Sequence, residues 1–382
     1  MNSKSRAIRD LLFNKVRMTI QFKIIAQDGM ARVGELITDH GVVPTPTITL
    51  NYTNALENWG FKPEDITEAR DVILLRNTFW LKERGISNVR EGVEWPRPVM
   101  SDSGGFQMVS MGKHLKQSFR GLEFDLDSRK IFIAPHEVVE WGKSAEVDLI
   151  MPLDNTVYTM DRNPLKFIWS AVMTAVWFRY SRKVADDNLY YIVQGGLNKF
   201  ARRISLWDAN RQLKNGISAV AIGGLAWDEP RSAMYKMVKF CTQRLPGNKP
   251  RHLLGVCKPI DILECIERGI DSFDGIAATR EGRHGRVWLW GGKYFDINNS
   301  QYVNDNGVLD SHCSCPVCRA GVSRADIRTR FKIGDREAIR QLMAHNWHQN
   351  YQLVSTARQA IEEGKFREFK RDFLGTFKPF VG

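Results

Sequence analysis

The sequence has no apolar run approaching the ~18–20 residues that a membrane-spanning helix needs, and its opening, M-N-S-K-S-R-A-I-R-D, lacks the apolar core of a secretory signal. No membrane partner is expected, and a cytoplasmic location is. Cysteine is scarce, with six in 382 residues, three of them within Cys313 to Cys318. That scarcity argues against a disulfide framework, and the clustering points to metal ligands in a reducing compartment. No G-x-G-x-x-G follows the first strand-like segment, which ranks a doubly wound dinucleotide-binding sheet second. Acidic residues also run short, 43 against 55 Lys and Arg. The resulting formal charge of +12 and pI near 9.4 fit a polyanionic partner better than a small neutral metabolite. With 43% hydrophobic and 26% charged residues the chain is globular, long enough for one large barrel or two smaller domains.

What is present is organised around V-M-S-D-S-G-G-F-Q, Val99 to Gln107. A short apolar run stops at Asp102, and the glycines after it let backbone approach a flat ligand closely, because glycine has no Cβ. Phe106 is placed to stack on that ligand. Taken alone, the stretch reads equally as a strand-to-helix turn capped by Asp102. Repetition decides the matter. Apolar segments ending in small or polar residues recur at Asn51, Thr78, Ser103, Asn155, Gly196, Leu225, Lys258 and Thr279, and helical spacing separates most of them, as over 167–184, 200–213, 232–243 and 259–269. Eight strands alternating with helices predict an α/β fold, a (β/α)8 TIM barrel, whose functional residues sit where the strands end. Asn77, Asp102, Asp154, Gln194, Gly223-Gly224, Cys257 and Asp274 fall at those ends. Three aspartates converging on one rim cost stability unless something uses them.

Around the barrel the sequence predicts a basic extension over 1–21, an N-terminal hairpin turning at Asp28-Gly29, the barrel over 22–300, and an extra hairpin over 122–133 turning at Asp127-Ser128. The stretch from Arg280 to Gly307, rich in Gly, Arg, Trp and Asn, reads as loop and short strand. A zinc-binding subdomain follows over 301–350, and a C-terminal helix and tail packing on the barrel over 351–382. Cys313, Cys315 and Cys318 with one histidine make a closed tetrahedral zinc site of the structural type. His345, in the apolar helix-like run Leu342-Met343-Ala344-His345, is preferred over His348 and His312 as the fourth ligand. Arginines and lysines crowd this region and the tail, reading as solvated helix faces or as phosphate-facing ones.

S-D-S-G-G-F-Q, I-V-Q-G-G, A-I-G-G-L-A, G-I-D-S-F-D with T-R-x-G-R, and C-x-C-x2-C-x26-H followed by Asn346 together resemble the tRNA-guanine transglycosylases, in the family's order from Phe22 onward. The resemblance implies a zinc-containing (β/α)8 enzyme that exchanges a guanine in tRNA for a 7-deazaguanine base through a covalent ribosyl-aspartate. It implies Asp274 as the nucleophile and Asp102 as the acid/base. Asp154, Gln194, Gly224 and Leu225 would bind the base edge, Phe106 its face, and Asn77 would support Asp102. Arg280, Arg283 and Arg286 would grip the flanking nucleotides of a base turned out of its stack. A homodimer with the zinc region near the interface is an expectation by analogy. Departures from the pattern sit at Asn155-Thr156 after Asp154, at Thr78-Phe79-Trp80-Leu81 and at Ala278, and they bear on which base is taken. Two other readings stand beside this one. The first is a DNA-guanine transglycosylase inserting a 7-deazaguanine into DNA, and the second a non-catalytic nucleic-acid-binding subunit, against which retention of both Asp102 and Asp274 argues.

Overall fold

Three antiparallel strands open the folded chain: β1 (Gln21–Asp28), β2 (Ala31–Thr38), turning at Gly29 as expected, and an unforeseen β3 (Gly41–Thr45). The structure, a computed structural model, describes residues 20–66, 71–104, 113–126 and 129–375. Next come β4 (Thr47–Asn51), α1 (Asn54–Asn58), β5 (Ile73–Asn77), α2 (Thr78–Glu83) and β6 (Val99–Asp102). An antiparallel excursion follows: β7 (Lys113–Ser118), β8 (Gly121–Leu126) and β9 (Arg129–Ile133). The predicted hairpin is thus the central strand and one edge strand of a three-stranded sheet, and its turn at 127–128 lies outside the described residues. The alternation then resumes with α3 (Pro135–Ser144), β10 (Leu149–Ile150), α4 (Pro164–Arg182), β11 (Tyr190–Val193), α5 (Lys199–Lys214), β12 (Ala219–Ile222), α6 (Arg231–Thr242), β13 (Arg251–Leu253), α7 (Pro259–Ile266), β14 (Ser272–Phe273) and α8 (Ala277–Arg283). Beyond it lie β15 (Arg286–Trp288), β16 (Tyr294–Asp296), α9 (Pro316–Arg319), α10 (Arg324–Lys332), α11 (Arg336–Glu362) and α12 (Phe366–Gly375).

The eight expected strands make one parallel sheet in the order β10-β6-β5-β4-β14-β13-β12-β11. It closes through a bridge between Ile150 and Leu189, with the Ile150 amide donating to the Asn188 carbonyl at 2.9 Å. Closure follows from the continuous apolar strands, which must be buried on both faces. Ile73, Leu75, Met100, Tyr190, Ile192 and Ala221 fill the interior, while alternate residues such as Leu74 and Val220 face the helices. Ile20, Leu36 and Val43 join the interior cluster, so the N-terminal sheet stoppers one mouth of the barrel. Buried Arg32 ties it down, bonding both Asp271 oxygens at 2.7 and 2.5 Å. Chemistry is left to the other mouth, where the strands end.

The long helix α11 braces that working rim and passes without a break through position 350. Asn346 Nδ2 donates to the carbonyls of Ala278 (3.1 Å) and Arg286 (2.8 Å), and Asn346 Oδ1 accepts the Trp288 amide at 2.8 Å. Gly282 makes this approach feasible, since a Cβ there would lie 2.9 Å from the Leu342 backbone. The opening of the stretch read as loop and short strand is therefore helical: α8 carries Arg280 to Arg283, pinned by contacts from 60 residues downstream that local periodicity does not register.

Candidate active site

Asp102 ends β6, Asp154 follows β10, Gln194 follows β11, Gly224 and Leu225 follow β12, and Asp274 follows β14. All six line one cavity of about 660 Å³ at the C-terminal mouth, together with Asn51, Thr156, Glu229, Arg231 and Arg280. The size suits a small polar ligand with part of its attachment outside. Its polar groups are held by the chain ends around them. The Gly104 amide donates to Asp102 Oδ1 at 3.1 Å. Gln194 Nε2 donates to Asp154 Oδ2 at 2.5 Å, while among the described residues the buried Gln194 Oε1 has no hydrogen-bond partner. Burial pushes the Asp154 carboxyl up to about 6; the Gln194 hydrogen bond opposes this and the Asp102 charge adds to it. Gly224, at φ 63°, sits against Gln194 so closely that a Cβ would overlap Oε1 at 2.2 Å. Beneath them Arg202, fully buried, donates to the carbonyls of Gly196 (2.8 Å), Val193 (2.7 Å) and Gly223 (2.7 Å), clamping the ends of β11 and β12.

Asp274 is held differently. The Gly255 amide donates to Oδ1 at 2.7 Å, Asn51 Nδ2 donates to Oδ2 at 3.2 Å, and His252 Nε2 lies 3.2 Å from Oδ1. A carboxylate acceptor on that side fixes Nε2 as the protonated ring nitrogen, so Nδ1 accepts the Ser272 hydroxyl at 2.8 Å. Burial alone would raise the carboxyl's pKa, but the His252 ring, the Gly255 amide and the Asn51 amide outweigh it and hold it below the usual carboxylate value. One cavity thus contains a carboxyl held ionised, Asp274, and another raised by burial, Asp154, and carboxyls whose environments separate them in this way mark a functional site.

Other sequence expectations fall elsewhere. Asn77 does not line the cavity; its Oδ1 caps α2 by accepting the Trp80 amide at 3.2 Å, and its backbone sits opposite Asp102 in the β5–β6 register. Of the three arginines, Arg280 lines the cavity, Arg283 is half-buried beside it, and Arg286 lies exposed over the Tyr294 ring, 4.5 Å from its centroid. Phe106 lies outside the described residues. Asn155 turns away, its Nδ2 donating to Gln117 Oε1 of β7 at 2.8 Å, and leaves Thr156 as the altered residue in the wall. His252, Asn51 and Arg202 were not foreseen. The usable signal for His252 was its place in barrel strand β13, one residue from the apolar run that follows.

Away from the cavity, the Sγ atoms of Cys313, Cys315 and Cys318 and a nitrogen of His345 lie within 4.8 Å of one another, all four residues buried. His345 Nδ1 is 3.5 Å from Cys315 Sγ and 3.4 Å from Cys318 Sγ. Its Nε2 donates to the Trp288 carbonyl at 2.8 Å, which orients the ring as metal-ligating histidines are oriented. His348 instead meets Ser314 at 3.1 Å, and His312 is exposed. The cluster is a buried donor set that could hold a metal ion, of the Cys3His type that structural sites use.

Among the described residues no helix is long and apolar enough to cross a membrane. A family model described as queuine tRNA-ribosyltransferase matches residues 27–379. A queuine tRNA-ribosyltransferase of Fusobacterium nucleatum subsp. nucleatum is 32% identical over 376 residues, covering 95% of this chain and 100% of the relative. One from Acinetobacter baylyi is 34% identical over 372 residues, covering 93% and 94%, and one from Acinetobacter baumannii is 33% identical over 370 residues, covering 93% and 96%. With its barrel, its rim of aspartates and its Cys3His cluster, the chain belongs to the queuine tRNA-ribosyltransferase family.

Proposed function

We propose that this pentosyltransferase exchanges a guanine in tRNA for a 7-deazaguanine base by double displacement at Asp274. The observation that carries the reading is the convergence of Asp102, Asp154, Gln194 and an ionised Asp274 on one cavity. The target nucleotide is turned out so that its base enters between Gln194 and Leu225. Asp154 and Gln194 meet the base edge, where an ionised carboxylate accepts two N–H donors and the unpartnered Gln194 Oε1 accepts another. Asp274 attacks ribose C1′, forming a C1′–O ester as the C1′–N9 bond breaks, and the bond's electron pair leaves with the base. Asp102 protonates that departing base. In the return step the incoming base gives its proton to Asp102 and attacks C1′, releasing Asp274; the strand stays intact. Retaining glycosidases divide labour between two carboxyls by the same logic. Arg280, with Arg283 and Arg286 behind it, holds the flanking phosphates. The Cys3His cluster holds structural zinc, which supplies rigidity to α11 and through it to α8. The reading is tested by incorporation of labelled guanine into unmodified tRNA.

His252 keeps Asp274 in its nucleophilic form, and this has a pH signature. Removing the donor raises the Asp274 pKa, so less of it is ionised at a given acidic pH. His252→Phe is expected to move the acid limb of the exchange rate to higher pH, with much of the rate recovered under alkaline conditions. His252→Gln, whose amide presents a donor at the same reach, should leave the limb near its wild-type position. An unmoved limb in His252→Phe contradicts the role.

A further inference from the structure

The three consecutive outer helices α4, α5 and α6 carry three, five and three basic residues, eleven in all, and a single acidic one, Asp208. Asp208 is buried and spoken for, accepting Arg179 Nη2 at 2.7 Å and the Tyr191 hydroxyl at 3.0 Å. The solvent face of α5 is therefore cationic and aromatic throughout. Phe200, Arg203, Trp207, Arg211 and Lys214 recur at spacings of three and four, which sets them in one row at the helical period. All five are exposed, Phe200 at 59% and Trp207 at 65%. Among the described residues neither Arg203, Arg211, Lys214 nor the neighbouring Lys236 and Lys239 of α6 has an acidic partner; Arg211 instead stands 6.0 Å from the Trp207 ring centroid, and Arg203 5.9 Å from that of Phe240. A row of this kind repels itself and exposes costly aromatic surface, and among the described residues only the cation–ring contacts offset this.

From these observations we propose that the outer face of α5, flanked by the cations of α6, is a second RNA-binding surface, taking the phosphodiester backbone of the tRNA substrate with a base or ribose laid on Trp207. The inference rests on the tRNA reading above. Two observations select RNA as the occupant. First, the row is continuous with the active site: α5 starts just past the end of β11, so Phe200 stands near the catalytic rim and Lys214 roughly 21 Å down the flank, while Arg231, opening α6, lines the cavity itself. Phosphates leading away from a base in the cavity meet this row next. Second, cations interleave the aromatics one turn apart, the pattern of a strand-tracking groove with stacking platforms. A membrane-seated helix would instead need an unbroken apolar face, and the apolar face of α5, with Ala201, Leu206, Ala209 and Leu213, is turned into the barrel. α5 and α6 follow strands three and two places round the barrel from β14, after which α8 carries Arg280 and Arg283, so the surface is additional to these arginines.

The test uses the full chain and an unmodified tRNA transcript, with binding followed by fluorescence anisotropy over a salt series. Arg203→Glu/Arg211→Glu/Lys214→Glu is expected to raise Kd at least tenfold near 0.1 M salt and to flatten the log–log salt dependence by about 2, since each lost phosphate contact removes roughly 0.7–0.9. Trp207→Ala should raise Kd at least about fivefold, the lower end for one lost stacking contact. In guanine exchange both variants should show a raised KM with kcat and melting temperature unchanged. A triple reversal of Lys365, just before α12, with Arg367 and Arg371 on it controls for bulk charge. Equal weakening by the control, or Kd and salt slope within twofold of wild type in the α5 variants, overturns the proposal. So does Trp207-dependent co-sedimentation with vesicles containing an anionic phospholipid when tRNA affinity is unaffected. If the wild type binds tRNA through this face yet exchanges no guanine, the activity reading fails and the surface stands.

Discussion

Asp274→Asn is expected to abolish base exchange, lowering the rate by at least on the order of a thousand-fold, because a carboxamide cannot form the ribosyl ester. The fold should survive. The new side chain keeps an oxygen to accept the Gly255 amide now bonded at 2.7 Å, and only the contact with Asn51 becomes donor against donor, at a cost of about 1 kcal/mol. Denaturing gels after incubation with tRNA and a 7-deazaguanine should show a slowed, covalently linked band for the wild type and none for the variant, with the two melting alike. An active Asp274→Asn enzyme would move the nucleophile's role to another group.

The second large effect concerns the metal cluster. Cys315 is fully buried, its Sγ 3.5 Å from His345 Nδ1, and its side chain accepts the Cys318 amide at 3.4 Å to start α9. Structural zinc sites contribute about 10–16 kcal/mol of apparent binding free energy in isolated peptides, and that binding is coupled to local folding. Cys315→Ser should therefore lose zinc to near background and melt well below the wild type. Activity should fall too, because His345 and Asn346 are neighbours on α11, and Asn346 holds α8 and with it Arg280. Elemental analysis beside thermal melting reads this directly. Full zinc content with wild-type melting would remove Cys315 from the ligand set.

The barrel was legible because its strands are buried on both faces, and continuous apolar runs ending in polar residues mark such strands wherever they occur. That Asp102, Asp154, Gln194 and Asp274 share one rim was legible for the same reason: a strand's end fixes where its last side chains lie. What escaped depends on contacts distant in sequence. β3 and β7 are antiparallel strands whose pairing partners give them their register. α8 is short, and its helical state is secured by Asn346 and the close pass at Gly282. Asn77 stands beside Asp102 in the β5–β6 register, as its position suggested, and its Oδ1 also caps α2, a contact that position alone does not reveal. His252 and Arg202 read as ordinary residues of a strand and a helix until the barrel closes and brings one to Asp274 and the other beneath Gly223. The zinc ligands posed the opposite case, since three closely spaced cysteines leave little choice of chemistry, and only the distant histidine needed a preference.

Because tRNA and DNA are both polyanions, the charge of +12 attracts either, and binding alone does not distinguish a tRNA enzyme from a DNA one or from a binding subunit. Incorporation does. Enzyme, labelled guanine and either unmodified tRNA or duplex DNA are incubated at matched salt, and the label retained in each polymer is counted against time. A loop base is cheaper to extrude than a paired one by the few kcal/mol of unstacking and unpairing, so tRNA should be labelled quickly and duplex DNA much more slowly. Faster labelling of DNA would contradict the account in favour of a DNA transglycosylase, and labelling of neither would contradict catalysis itself.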